Sequence, residues 1–156
     1  MDLTKVLENL DDKLRDFWWR LSWKSRRSGT LVHPLVYPHP VSGQPTMVFN
    51  LYLNTKIKGS RVSDQFILDY GTALEKVYSE SETEAIAKSI AQELDKYRYI
   101  HQWQPGDLVI IDNLAVAHMA SPGTQYDRKE VGLRVMHRVT INGRHKPIDL
   151  RLKIGK

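Results

Sequence analysis

The sequence predicts a mainly β, α+β fold of the double-stranded β-helix (jelly-roll, cupin-like) kind, in an incomplete form with two flanking helices. Short apolar runs separated by turn residues recur along the chain, a pattern typical of antiparallel hairpins. Two other segments carry apolar residues every three or four positions, which is the period of an amphipathic helix. We count six or seven predicted strands. A complete jelly-roll has about eight, so we expect an incomplete one.

The length of 156 residues predicts a single domain over residues 1–156. A chain of this size buries about two-thirds of its unfolded surface, which is enough for a core. Within the domain, we assign residues 1–30 to an N-terminal amphipathic helix and loop. Residues 31–150 are assigned to the jelly-roll part.

The first predicted helix occupies residues 3–23. Its apolar positions alternate spacings of four and three: Leu3, Leu7, Leu10, Leu14, Phe17 and Leu21. Asp2 precedes the stripe and is a suitable N-cap. Two interpretations remain open, a helix that packs on the core of its own chain and a helix that binds a partner.

The region from residue 31 to residue 79 has weaker signals. Prolines at three positions make residues 31–40 an edge strand or an extended connection. His33 and His39 are six apart across prolines, which matches no metal geometry, so we interpret both as structural. Residues 46–53 predict a strand. Residues 54–79 have no clear period and leave two alternatives, a pocket loop or a local peculiarity.

The second predicted helix occupies residues 82–96. Ser81 and Glu84 form a capping-box pattern ahead of a stripe that contains Ile90 and Leu94. A short strand is predicted next, at residues 99–104.

Residues 103–140 hold the side chains that suggest chemistry. Three strands are predicted there, with Leu108–Ile111 in the first, His118 in the second and both Arg134 and Arg138 on the third, at residues 132–141. An imidazole can bind a metal, and a guanidinium can bind a carboxylate through two hydrogen bonds. The alternatives are a structural histidine and two surface charges. Asp112 and Asn113 are interpreted as turn-forming residues.

Four sequence elements occur in order along the chain. They are His33-Pro34 to Gly43 followed by Val48-Phe49-Asn50, then Trp103-Gln-Pro105-Gly-Asp107, then Asp112-Asn113 with His118, and finally Arg134-Val-Met136-His137-Arg138. Together they resemble the C-terminal half of the Fe(II)/2-oxoglutarate dioxygenases of the taurine dioxygenase (TauD/TfdA-like) family. The resemblance covers roughly residues 31–148, and we find no counterpart for the first 30 residues.

The resemblance implies an activity and a set of site residues. The activity is hydroxylation of a small, anionic organic substrate coupled to decarboxylation of 2-oxoglutarate, with Fe(II) as cofactor. His118 corresponds to the distal iron ligand. Arg134 corresponds to the arginine that binds the far carboxylate of 2-oxoglutarate. Arg138 corresponds to the second arginine, which reaches the near carboxylate or the substrate anion.

One departure from the family pattern bears on activity. The family's other two iron ligands lie in an H-x-D or H-x-E motif, and none of the six histidines here has an acidic residue two places on. Three hypotheses follow. The chain is an incomplete family member that is inactive alone. Alternatively, it is active because the other ligands come from another chain or from Asp and His residues elsewhere in this sequence. Or it is a non-catalytic carboxylate-binding or protein-interaction module.

Composition limits the partners. The net charge of +5 suits a solvated surface and an anionic small molecule. A nucleic-acid partner would require the basic clusters to lie on one face with interleaved aromatic residues, and we do not expect one. No cysteine is present. With no signal peptide or membrane-length apolar run in this sequence, we expect a cytoplasmic protein. An incomplete jelly-roll exposes strand edges, so we also expect a homo-oligomer.

Overall fold

The computed structural model describes residues 1–24, 32–48, 65–118, 127–132, 139, 141 and 144. Within these residues the strands form two antiparallel sheets. A four-stranded sheet has the order β2-β1-β5-β6, and a two-stranded sheet pairs β3 with β4. The strands are β1 (Leu21–Lys24), β2 (Val32–Pro34), β3 (Val36–Pro38), β4 (Pro45–Met47), β5 (Gln65–Leu68) and β6 (Lys76–Val77).

The prediction of one helix over residues 3–23 is wrong, because the segment folds as two helices and a strand. Helix α1 is Leu3–Glu8 and helix α2 is Asp12–Arg20. Asp2 caps α1 as expected, and Asp11 caps α2 by accepting hydrogen bonds from the backbone N–H groups of residues 13 and 14 at 3.0 Å each. Short Asn and Asp side chains compete for backbone groups, so the Asn-Leu-Asp-Asp sequence favours a break here.

Strand β1 follows α2 directly and is an inner strand of the larger sheet. Leu21 adopts extended backbone angles and ends the helix. The strand then pairs antiparallel with β2 on one side and β5 on the other. Tertiary pairing on both sides therefore overrides the helical period that the sequence carries up to residue 23.

Leu35 connects the two sheets. Its side chain is fully buried between β2 and β3. Its backbone N–H donates to the Leu21 carbonyl at 2.9 Å, and its carbonyl accepts from the Val48 N–H at 3.0 Å. The predicted extended segment 31–40 therefore contains two short strands that belong to different sheets. The predicted strand 46–53 is observed as β4, and its residues from 49 onward lie outside the described part.

Strands β5 and β6 lie in the region 54–79, which has no clear hydrophobic period in the sequence. Asp69 ends β5 with a positive φ of 50°, a conformation that Asp tolerates. Its carboxylate accepts two hydrogen bonds from the Arg20 guanidinium, at 2.9 and 2.6 Å. This pairing lowers the pKa of Asp69 and ties the end of α2 to the turn after β5.

Helix α3 spans Glu80–Asp95 and begins two residues earlier than predicted. The capping box is formed by Ser79 and Glu82, and the predicted cap at Ser81 is wrong. Glu82 accepts a hydrogen bond from the Ser79 backbone N–H at 2.8 Å and pairs with Lys76 at 2.9 Å. These contacts lower the pKa of Glu82 to about 2.

The core of the described part lies where α1, α2 and α3 pack against the sheets. Helix α1 contacts both β4 and α3, and α3 also contacts β5. The largest fully buried side chains include Trp18, Phe66, Leu7, Leu21, Leu35, Ile90 and Leu94. The first helices therefore pack on the core of their own chain, which was one of the two alternatives for this segment.

Two predicted strands are wrong. Residues 99–104 and Leu108–Ile111 form no strand, and the apolar side chains of the second segment are all exposed. Exposure reaches 84% at Leu108 and 87% at Ile110. Apolar character alone therefore did not determine burial here. Predicted strand 132–141 lies largely outside the described residues.

The described residues contain four helices where two were predicted, because the first is divided and a short α4 (Arg128–Val131) is present. No helix among the residues that the structure describes has the length and apolarity needed to cross a membrane.

The position of the α3 cap gives a stability prediction. Replacing Ser79→Ala removes the side-chain oxygen that accepts the Glu82 N–H and should lower the free energy of unfolding by about 1 kcal/mol. Ser81→Ala is the matched control, because Ser81 is exposed and does not cap, and it should be nearly neutral. Urea unfolding curves measure both, and a larger loss at Ser81 would contradict the assigned cap.

Candidate functional site

The His118 segment, residues 112–118, begins with a turn organised by Asp112. The Asp112 carboxylate accepts from the Leu114 N–H at 2.9 Å. The backbone carbonyl of Asp112 accepts from the N–H groups of Ala115 and Val116 at 3.1 and 3.0 Å. The prediction that Asp112 is a turn-forming residue is therefore confirmed. The turn determines the direction in which the chain approaches His118.

After this turn the segment runs antiparallel to the N-terminal residues. Asp2 and Val116 form a β-bridge. Leu3 N–H donates to the Ala115 carbonyl at 3.0 Å, and Ala117 N–H donates to the Met1 carbonyl at 3.1 Å. The start of α1 thus holds residues 115–117 in place, and His118 follows immediately with an exposed side chain.

Thr46 joins the same segment to the smaller sheet. The Thr46 side chain is fully buried, and its hydroxyl donates to the Leu114 carbonyl at 2.6 Å. A buried hydroxyl needs a partner, since leaving it unpaired costs about 1–3 kcal/mol. The contact therefore links β4 to the Asp112 turn.

His39 makes a second link from the same hairpin, and its ring is 8% exposed. Nδ1 accepts from the backbone N–H groups of Val41 and Ser42 at 3.3 and 3.2 Å. In a neutral ring the hydrogen then resides on Nε2. Nε2 lies 3.0 Å from the Asp112 carboxylate. The orientation falls outside hydrogen-bonding geometry, so this is a close electrostatic contact.

Tyr37 is buried on β3, and its phenol is close enough to the Asp112 carboxylate to be affected by its charge. Burial of the phenol raises the pKa of Tyr37 to about 12, and the negative charge of Asp112 contributes to the shift. Tyr37 therefore stays neutral at physiological pH. Its hydroxyl is available as a hydrogen-bonding group and is not a base.

A second histidine–carboxylate pair occurs at the surface. His101 Nε2 lies 3.0 Å from Asp107 Oδ2, which also accepts from the Gln104 N–H at 2.8 Å. The backbone hydrogen bond and the histidine lower the pKa of Asp107. The Trp103 ring packs edge-on against His101 with centroids 4.6 Å apart. These contacts close the turn that precedes the exposed Leu108–Ile111 segment.

The described residues do not form an iron site of the kind that the sequence resemblance implies. A facial triad needs two histidines and one carboxylate around one metal. Within the described ranges no three His, Asp or Glu side chains are close enough to bind a metal together. His39 is occupied by its turn and by Asp112, which leaves His118 as one exposed imidazole.

The prediction of carboxylate binding concerns two arginines near the end of the chain. Arg134 and Arg138 both lie outside the described residues. Their assignment stays a prediction from the sequence, as does the role of His118.

Two contacts to the His118 segment were not predicted from the sequence, one made by Thr46 and one by His39. Thr46 gave no signal, because a threonine in a strand is ordinary. His39 was correctly interpreted as structural, yet its contact with Asp112 was not foreseen. The two are 73 positions apart in the chain, so only tertiary packing reveals the contact.

Comparison with known proteins gives the family. Residues 1–140 match the model described as "Taurine catabolism dioxygenase TauD, TfdA family". This match includes the first 30 residues, which our motif comparison did not cover. The 3-((Z)-2-isocyanoethenyl)-1H-indole synthase of Fischerella ambigua (strain UTEX 1903) is 25% identical over 135 residues, covering 78% of this chain and 44% of that protein.

The chain spans less than half the length of this curated relative. No solved structure matches the chain. Members of the family generally depend on Fe(II) and 2-oxoglutarate. Membership of this family implies a cupin-like fold. Because the family model matches 140 of the 156 residues, the chain belongs to the TauD/TfdA family of the Fe(II)/2-oxoglutarate oxygenase superfamily.

Proposed function

We propose that this chain is the C-terminal part of an Fe(II)/2-oxoglutarate dioxygenase jelly-roll and is inactive when alone. The observation that carries the proposal is the family match over residues 1–140, with the His118 and Arg-x-Met-His-Arg motifs in family order. The whole protein would hydroxylate a small organic anion at the expense of 2-oxoglutarate. The net charge of +5 supports an anionic substrate.

Within that activity the chain's own residues would have limited roles. His118 would supply one imidazole to the metal. Arg134 would bind the far carboxylate of 2-oxoglutarate, and Arg138 the near carboxylate or the substrate anion. On a strand, residues four apart share a face, so both guanidinium groups can point to the same side. The structure adds that the backbone just before His118 is held by α1 and by β4.

A non-catalytic carboxylate-binding module is the second candidate. It is favoured by the lack of an H-x-D or H-x-E motif in the sequence, together with the lack of a three-ligand cluster in the described part. Both candidates assign carboxylate binding to Arg134 and Arg138. They differ in whether the chain contributes a ligand to a metal. Metal binding and carboxylate binding therefore have to be measured separately.

The isolated chain should not bind Fe(II) stoichiometrically. One imidazole provides no chelation, so metal should be lost on desalting after anaerobic loading. Iron content per chain measures this directly, with His118→Ala as the comparison. Full occupancy in the wild-type chain would contradict the proposed incompleteness and would indicate ligands from a second chain.

Carboxylate binding should survive without the metal. One charge-assisted pair contributes about 1.5–3 kcal/mol, which corresponds to millimolar affinity at best. Ligand-observed NMR with 2-oxoglutarate and succinate should show weak binding. Arg134→Lys keeps the charge but loses the paired hydrogen bonds, so most binding should disappear.

Arg138→Lys is the matched variant for this titration, and it should affect 2-oxoglutarate less than Arg134→Lys does. Equal binding by the wild type and Arg134→Lys would overturn the assignment of the arginine pocket. The family relationship would then describe ancestry without this function.

We also propose that the pure chain associates with copies of itself. Exposed apolar residues occur consecutively at Leu108–Ile111, and such a run on the surface is a site that a second copy of the chain can cover. Ile110→Lys should shift the weight-average mass measured by light scattering toward the monomer. Val41→Lys is the control, since Val41 is 77% exposed in a different turn. A wild-type monomer at high concentration would contradict the proposal.

A further inference from the structure

We propose that His39 is a positioning residue that holds the His118 segment through Asp112. The inference begins with the hairpin between β3 and β4. His39 N–H donates to the Gln44 carbonyl at 2.8 Å, and the His39 carbonyl accepts from the Gly43 N–H at 2.9 Å. Both backbone groups of His39 are thus used to close the turn.

The ring of His39 is held as firmly as its backbone. Two N–H groups of the turn point at Nδ1, which fixes the ring orientation and assigns the hydrogen to Nε2. The ring is also buried. Nε2–H therefore has a defined position and needs an acceptor, because a buried donor without one is destabilising.

Asp112 is the group placed to accept that hydrogen. Its Oδ2 lies 3.0 Å from Nε2, while its Oδ1 accepts the Leu114 N–H. At this distance the negative charge of Oδ2 attracts the Nε2–H group, although the two are not aligned as a hydrogen bond. The same side chain therefore shapes the turn with one oxygen and attracts the hairpin with the other.

The contact determines where His118 emerges. The Asp112 turn leads into residues 115–117, which pair with the N-terminal residues, and His118 comes next. His39 acts on His118 only through this backbone, so its role is to position and not to react. The consequence for metal binding rests on the proposed function, in which His118 is a ligand. The contact itself does not depend on that function.

Two variants separate the roles of the ring. His39→Asn retains an acceptor near the place of Nδ1, so the turn can persist while the Asp112 contact is lost. His39→Gln carries an amide N–H₂ near the place of Nε2, so the Asp112 contact can persist while the acceptor for the turn is lost. His33→Asn is the matched control, because His33 also precedes a proline but packs at a tilt against Trp23.

The measurement is amide hydrogen exchange by NMR on the full chain. In His39→Asn, exchange at Ala117 and Leu3 should rise about tenfold relative to Ile90 in α3, because the loss of one polar contact lowers the local opening free energy by the equivalent of about that factor. The ring signals of His118 should shift as well. His39→Gln should show wild-type exchange at Ala117, and His33→Asn should change neither readout.

Two outcomes would overturn the inference. One is unchanged exchange at Ala117 in His39→Asn, and the other is an equal increase in His39→Gln. If His39→Asn does not fold, Asp112→Asn decides the question. It keeps the oxygen that accepts the Leu114 N–H but replaces the charge facing His39, so it should reproduce the tenfold increase, and wild-type exchange would overturn the inference.

The test is independent of the proposed function. The exchange experiment contains neither iron nor 2-oxoglutarate, so it reports on the contact alone. Unchanged 2-oxoglutarate binding in Arg134→Lys would remove the proposed function and leave the His39 contact intact. Unchanged exchange in His39→Asn would overturn the His39 inference and leave the proposed function intact.

Discussion

The pairing between the first three residues and residues 115–117 is the constraint on which the described fold depends. It joins parts of the chain more than a hundred positions apart. The residues that pair also begin α1, whose Leu3, Val6 and Leu7 enter the core. One short antiparallel contact therefore fixes both the start of the apolar core and the approach of the chain to His118. Such a contact forms only after a long loop has closed.

Polar contacts then determine the details around this frame. Thr46 and His39 reach the Asp112 turn from the same hairpin, one through a hydroxyl and one through a ring nitrogen. Leu35 links that hairpin to the larger sheet, because its N–H donates to Leu21 in β1 and its carbonyl accepts from Val48 after β4. Displacement of the hairpin would thus move the Asp112 turn with it. The segment before His118 is supported from two sides, while the His118 ring itself remains exposed.

The site that results differs from the one that family membership alone would suggest. The family implies iron and 2-oxoglutarate, and the described residues supply one exposed imidazole in the relevant segment. The exposed apolar residues at 108–111 are consistent with a surface that other polypeptide covers. Our proposal that this chain contributes part of a shared or larger site reconciles family membership with these residues.

The sequence alone determined the family, the long α3 and the turn at Asp112, because each depends on local chemistry or on motif order. A capping box and a regular stripe specify a helix without help from distant residues. Even there, Ser79–Glu82 and Ser81–Glu84 both satisfy the box. The earlier start is accompanied by contacts of the helix with the sheet, from Glu82 to Lys76 and from Thr83 to Phe66. Only tertiary structure decided that Leu21–Lys24 is a strand, that Leu108–Ile111 is exposed, and that His39 meets Asp112. Each of these depends on which distant segment lies alongside, and local periodicity does not contain that information.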